Sequence, residues 1–128
     1  MRFLRHSVIG LVCLAMGFLV VWQPLSTQAQ GAAPAPGKPA LYEFGAEWCL
    51  PCKEMKEVMA ALKASHGDQV EFRMVYVDQE RPLFTEYKIV AIPTQVFLDA
   101  SGKEVDRHLG ALPKEEVLKK LKELKFIK

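Results

Sequence analysis

The sequence predicts one α/β domain over residues 40–128, a four-stranded mixed sheet flanked by helices. Three observations lead there. An apolar strand-like segment, Ala40–Phe44, runs within a few residues into a stretch with helical spacing. A second segment rich in β-branched and aromatic residues follows that helix, as a parallel crossover requires. Farther on, two more such segments flank a short turn and read as a hairpin. At 128 residues, half of them hydrophobic, the chain can bury one core and has no room for two.

Each element has its own signal. Ala40–Phe44 is largely apolar and aromatic, as a buried first strand would be. Cys52–Ala64 carries Met55, Val58, Met59 and Leu62 at helical intervals and stops near His66 and Gly67. In Val70–Val77, Val70, Phe72, Met74 and Tyr76 fall on one side, the period of a strand. Pro82–Lys88 is long enough for a short helix. Thr94–Leu98 and Glu104–Leu109 bracket Asp99–Lys103, whose Ser101 and Gly102 suit a turn. Pro113 opens a final helix with Val117, Leu118, Leu121 and Leu124 as its apolar stripe.

The first 39 residues are set apart by composition. Arg2, Arg5 and His6 precede an uncharged apolar run, Val8–Trp22, and a polar stretch, Gln23–Gln30, in which Thr27 and Ala29 sit like a cleavage site. Residues 1–29 therefore read as a signal peptide or as an uncleaved membrane anchor, and both readings imply export. Residues 30–39, rich in Pro, Ala and Gly, read as a linker. Cys13 lies inside the apolar run with no lipidation pattern before it. The expected location is outside the cytoplasm, periplasmic, either soluble after cleavage or tethered through the anchor.

The net charge of +2 disappears once Arg2 and Arg5 are set aside, which argues against nucleic acid as a partner. The C-terminal lysines alternate with glutamates and a leucine stripe, the pattern of a solvated amphipathic helix.

The chemistry concentrates in Trp48-Cys49-Leu50-Pro51-Cys52. Two thiols two residues apart can reach one another while the first stands exposed at a helix start, where free N–H groups and the helix dipole favour a thiolate. Cys49 is the candidate nucleophile. Cys52, one turn inward, is the candidate resolving thiol that breaks the mixed disulfide. Pro51 fits the first turn, where a missing N–H costs nothing. A zinc site is the rival reading, but only Cys13, His6, His66 and His108 remain as ligands and no second close pair exists. An inert structural disulfide is another, weakened by the small loop it would close. No metal and no organic cofactor is expected.

Trp48–Cys52, then Ile92-Pro93-Thr94, then Gly110, in that order, make the chain resemble the thioredoxin family over about Lys38–Lys125. The domain looks N-terminally shortened relative to thioredoxin, with the linker in place of the usual first strand and helix. The resemblance implies a cis bond between Ile92 and Pro93 beside the cysteines, and an Ile92 backbone that receives an extended substrate segment as an added strand. It implies substrate contacts from Trp48, Leu50, Pro51, Ile92, Pro93 and Gly110. Glu43 falls where thioredoxin has a buried aspartate that serves the resolving thiol. A carboxylate there either has a raised pKa and deprotonates Cys52, or reaches solvent at a sheet edge. Leu50 replaces the family's glycine, and Glu57 replaces the proline of its first helix.

The functional expectation is an exported thiol:disulfide oxidoreductase, monomeric, that reduces or isomerises disulfides in other proteins. Pro51 beside the second cysteine resembles the reductive members, which in an oxidising compartment need electrons from a membrane thiol reductase. Two alternatives stand beside it. One is a dedicated reductant for cytochrome c maturation. The other is a binding or chaperone module of this fold without redox turnover.

Overall fold

A strand buried at every position on both faces, β1 (Ala40–Gly45), forms the spine of the domain. In the computed structural model, which describes residues 37–128, β1 is followed by α1 (Leu50–His66), β2 (Glu71–Tyr76), α2 (Arg81–Glu86), β3 (Thr94–Leu98), β4 (Glu104–Leu109) and α3 (Lys114–Glu123). The sheet order is β2-β1-β3-β4. β1 pairs in parallel with β2 across the α1 crossover and antiparallel with β3, and β3–β4 is the expected hairpin.

Alternation along β1 sends its residues to two cores. Leu41 joins Phe97, Val70 and Phe72 under Met55, Met59 and Leu62 of α1 and Val117 and Leu121 of α3. Tyr42 and Phe44 turn the other way, towards Val75, Val96, Leu98 and the α2 residues Leu83 and Phe84. Phe44 and Phe84 meet edge to face, with centroids 5.1 Å apart. Each such side chain contributes about 1.5–3 kcal/mol through removal from water. The stripe expected of α3 is present, with Val117 and Leu121 buried and Leu118 and Leu124 packed at its margin.

Boundaries differ from the sequence reading where caps intervene. α1 starts at Leu50 rather than Cys52, because Cys49 is its N-cap and Cys49 Sγ accepts the Cys52 N–H at 3.3 Å. Its first turn holds no acidic residue, and its last turn carries Lys63 and His66, both favourable to the helix dipole. The hairpin turn is closed by Asp99, whose Oδ1 accepts from the backbone N–H groups of Ser101 at 2.8 Å and Lys103 at 3.1 Å. Residues 37–39, assigned to the linker by composition, already bond to the domain. Gly37 N–H donates to Ala100 O, Lys38 Nζ to Gly67 O at 2.7 Å, and Pro39 O accepts from Glu71 N–H at 2.9 Å. The apolar run at 8–22 and its cleavage or anchoring lie outside the described residues. Among those described, no helix is long and apolar enough to cross a membrane.

Candidate active site

The site is built where β1 ends and α1 begins. Gly45 closes the strand, Cys49 N–H donates to Ala46 O at 3.2 Å, and Cys49 caps the helix, so the turn between them is held at both ends. Cys49 and Cys52 are joined as a disulfide with S–S 2.07 Å and Cα atoms 5.2 Å apart. The Cys52 N–H aimed at Cys49 Sγ is one of the free donors at the helix start, the kind of group that stabilises a thiolate.

The expectation of an exposed first cysteine needs correction. Cys49 keeps 7% of its surface and Cys52 2%. Ala46, Val77 and Ile92 pack around the pair. What stands clear instead is the rim: Trp48 is 76% exposed and Leu50 70%, and Pro51 is exposed beside them. An apolar rim around a recessed sulfur suits docking of another chain better than attack by a free small thiol.

The structure brings the second predicted element to the same place. The Ile92–Pro93 bond is cis. Ile92 packs on the cysteine pair, Pro93 is buried, and Gly110 donates its N–H to Pro93 O at 2.8 Å. Gly110 has φ of +101°, a backbone conformation that glycine adopts without strain. Ile92, with Pro93 and Gly110 linked behind it, thus comes to the same disulfide that Trp48, Leu50 and Pro51 flank in sequence.

Beneath it lies Glu43. β1 is a central strand and Glu43 is 0% exposed, so the alternative of a carboxylate reaching water at a sheet edge does not hold. It lies on the α1 face of β1, two residues before Gly45, whose absent side chain would point at Cys52. Burial raises its pKa from about 4.5 to about 8, and the Gln95 amide opposite offsets only part of that rise. Neither carboxyl oxygen makes a hydrogen bond of ordinary geometry, and the Gln95 amide stands close enough only to moderate that rise.

Two residues of the site had no signal that sequence reasoning used. Gly45 is one. A Cβ there would lie 3.1 Å from Cys52 Cβ and 3.2 Å from its Sγ, closer than side chains ordinarily pack. Gly45→Ala is expected to cost about 1–3 kcal/mol by crowding, measured by urea unfolding of the oxidised protein, and a neutral result would mean that the cysteine turn yields easily. Gln95 is the other, a fully buried amide directly opposite Glu43 in the β1–β3 ladder. A polar residue inside the run Thr94–Leu98 was the available clue.

Comparison with known proteins agrees with this geometry. A family model described as a thioredoxin-like domain matches residues 27–125. The chain belongs to that family. This chain is 31% identical over 125 residues to a protein from Synechocystis named as a homolog of the thiol:disulfide interchange protein TxlA, covering 86% of this chain and 69% of that one. It is 36% identical over 84 residues to thioredoxin of Griffithsia pacifica, covering 66% of this chain and 76% of the relative. Among solved structures it resembles the thioredoxin NaTrxh of Nicotiana alata, with a TM-score of 0.63 and 36% identity over 75% of this chain and 79% of that one. Fold and relatives together make this thioredoxin-like domain a thiol:disulfide oxidoreductase.

Proposed function

We propose that the chain works outside the cytoplasm, where it reduces or isomerises disulfides of exported proteins through a Cys49/Cys52 cycle. The observation that carries this reading is the recessed disulfide at a helix start with a buried carboxyl below it and an apolar rim above. The Cys49 thiolate attacks one sulfur of the substrate disulfide, forming a mixed disulfide and expelling the other sulfur as a thiolate that takes up a proton. Cys52 then gives its proton to ionised Glu43 and attacks Cys49 Sγ, which releases the second substrate sulfur as a thiolate that takes up a proton from solvent. Two electrons pass to the substrate and the domain is left oxidised. With its pKa near 8, Glu43 can accept a proton in this direction and return it to Cys52 when the disulfide is reduced again. Re-reduction requires a dithiol donor, and a membrane thiol reductase fits the exported setting.

Export is supported by the charged start, the apolar run and the small polar stretch within residues 1–29. Trp48, Leu50, Pro51 and the Ile92–Pro93 and Gly110 backbones would receive an extended segment of the partner. Cys52→Ala leaves the first attack possible and removes the second, so the variant is expected to accumulate mixed disulfides with exported proteins in cells. Identification of the trapped partners tests compartment and substrate together. Capture confined to apocytochromes would assign the narrower role in cytochrome c maturation, and a folded variant that captures nothing would defeat the exchange mechanism.

A further inference from the structure

Among the described residues the sheet has two edges, β2 and β4, and they are not alike. β4 is blunted, because its ladder with β3 slips between Phe97 and Leu98 and Arg107 pairs with Glu104 along it. β2 is regular, in register with β1 at every position from Glu71 to Tyr76 and without proline. In a parallel ladder, alternate residues turn both backbone groups to the partner strand. Glu71 N–H donates to Pro39 O and Val77 N–H to Gly45 O, so Glu71, Arg73, Val75 and Val77 face β1. Phe72, Met74 and Tyr76 therefore turn theirs outward. Tyr76 O is taken by the turn that follows, through the Gln79 and Glu80 N–H groups. The N–H groups of all three residues and the C=O groups of Phe72 and Met74 find no hydrogen-bond partner among the described residues. A row of that kind is a template for another strand.

Two clefts lie beside this edge, between β2 and α1. The one at the Tyr76 end, of about 220 Å³, is lined by Lys53, Lys56, Glu57 and Glu47, and the one at the Glu71 end, of about 400 Å³, by Lys38 and Lys63. Lys53, Lys56 and Lys63 recur at helical spacing along one stripe of α1. Glu71 also borders the second cleft, but its register with Ala40 puts its side chain on the α2 face, where Arg73 is engaged by Glu80. On the α1 side, cations lead at one end of the edge and stand alone at the other.

We propose that the β2 edge receives an extended acidic segment of a partner protein as a fifth strand. The outward groups of Phe72, Met74 and Tyr76 supply its hydrogen bonds over about 17 Å, and alternate side chains of the segment turn towards α1. Carboxylates at those positions meet Lys38 and Lys63 at one end and Lys53 and Lys56 at the other. A second copy of β2 is the poorer occupant, because a twofold pairing would bring two lysine-lined stripes of α1 together. β1 stands between this edge and β3, which the Ile92–Pro93 turn precedes, so the segment docks apart from the substrate of the cysteine site. Both can be held at once. The inference does not rest on the proposed exchange cycle.

The test uses the full oxidised chain in mild detergent and two short cysteine-free peptides, one alternating glutamate with threonine and one alternating lysine with threonine. Amide hydrogen exchange is followed by nuclear magnetic resonance. In the free chain Phe72, Met74 and Tyr76 should exchange faster than Arg73 and Val75, whose N–H groups lie in the ladder with β1. With the glutamate peptide at about 100 times its Kd, the three outward amides should slow by up to roughly 100-fold, and the lysine peptide should leave them unchanged. Replacing Lys56→Glu and Lys63→Glu together should weaken the glutamate peptide by roughly 2- to 30-fold, the worth of two exposed ion pairs. Met74→Pro removes an outward N–H and no ladder bond, and should weaken it as well; if that variant fails to fold, the lysine pair still decides. Outward amides already protected in the free chain overturn the proposal. Protection independent of concentration would mean that the chain's own N-terminal residues cover the edge, and protection that grows with concentration that a second copy does. Equal protection by both peptides removes the acidic partner, and protection by neither removes the docking site. The disulfide cycle is untouched by any of these outcomes, because neither peptide can enter it.

Discussion

Cys49→Ser is expected to bring insulin reduction by dithiothreitol down to the rate without protein. The hydroxyl cannot ionise near neutral pH, so the helix start has no anion to stabilise and no sulfur to form the mixed disulfide. The loss should be functional rather than structural. The disulfide spans a sequence separation of only 3, and the entropy of closing so small a loop is worth roughly 2 kcal/mol. The cores that hold β1 between α1, α3 and α2 do not involve that bond. Circular dichroism of the variant should therefore match the wild type. If folded Cys49→Ser keeps more than background activity, Cys49 is not the attacking thiol. If the wild type itself gives no acceleration, the fold serves as a binding module instead.

The second large effect is a pH dependence of stability carried by Glu43. In the unfolded chain its carboxyl ionises near 4.5, and in the folded domain burial holds it neutral up to about 8. The folded state therefore binds the extra proton between those limits. The contribution is fully present below about 4.5, falls as pH rises, and levels off above about 8. At about 1.4 kcal/mol for each pH decade, the part of the span between pH 5 and about 8 is on the order of 4 kcal/mol. Glu43→Gln preserves the shape and cannot ionise. Urea unfolding of the oxidised wild type and this variant at pH 5 and pH 9 should show the wild type losing that amount relative to the variant. A difference that does not change with pH would mean that the carboxyl is solvated, and would remove its case as a proton carrier for Cys52.

The order of elements was legible because each has a period of its own. Thr94–Leu98 and Glu104–Leu109 have the predicted limits, since Asp99–Lys103 marks both inner ends. The cysteine pair, Ile92-Pro93 and Gly110 were legible as motifs, and the fold gathers them. What could not be read is how deep each group lies. The recess of Cys49 depends on Ala46, Val77 and Ile92, which come from three separate parts of the chain. The start of α1 at Leu50 depends on a sulfur acting as cap, which no propensity scale describes. The sequence leaves Glu43 two readings and the central place of β1 decides between them, because burial follows from neighbours rather than from the strand's own composition. The place of Gln95 in the site is hidden in the sequence for the same reason, as it comes only from its register with Glu43.

β1 has hydrogen-bonded neighbours along both edges and covered faces above and below. The sulfurs sit just past the end of that strand, at the start of α1, while Trp48, Leu50 and Val90 project into solvent outside it. Foundation and fitting are thereby separable. Relatives could exchange these outer side chains to suit new clients, and the electron-transfer apparatus underneath would not have to be rebuilt.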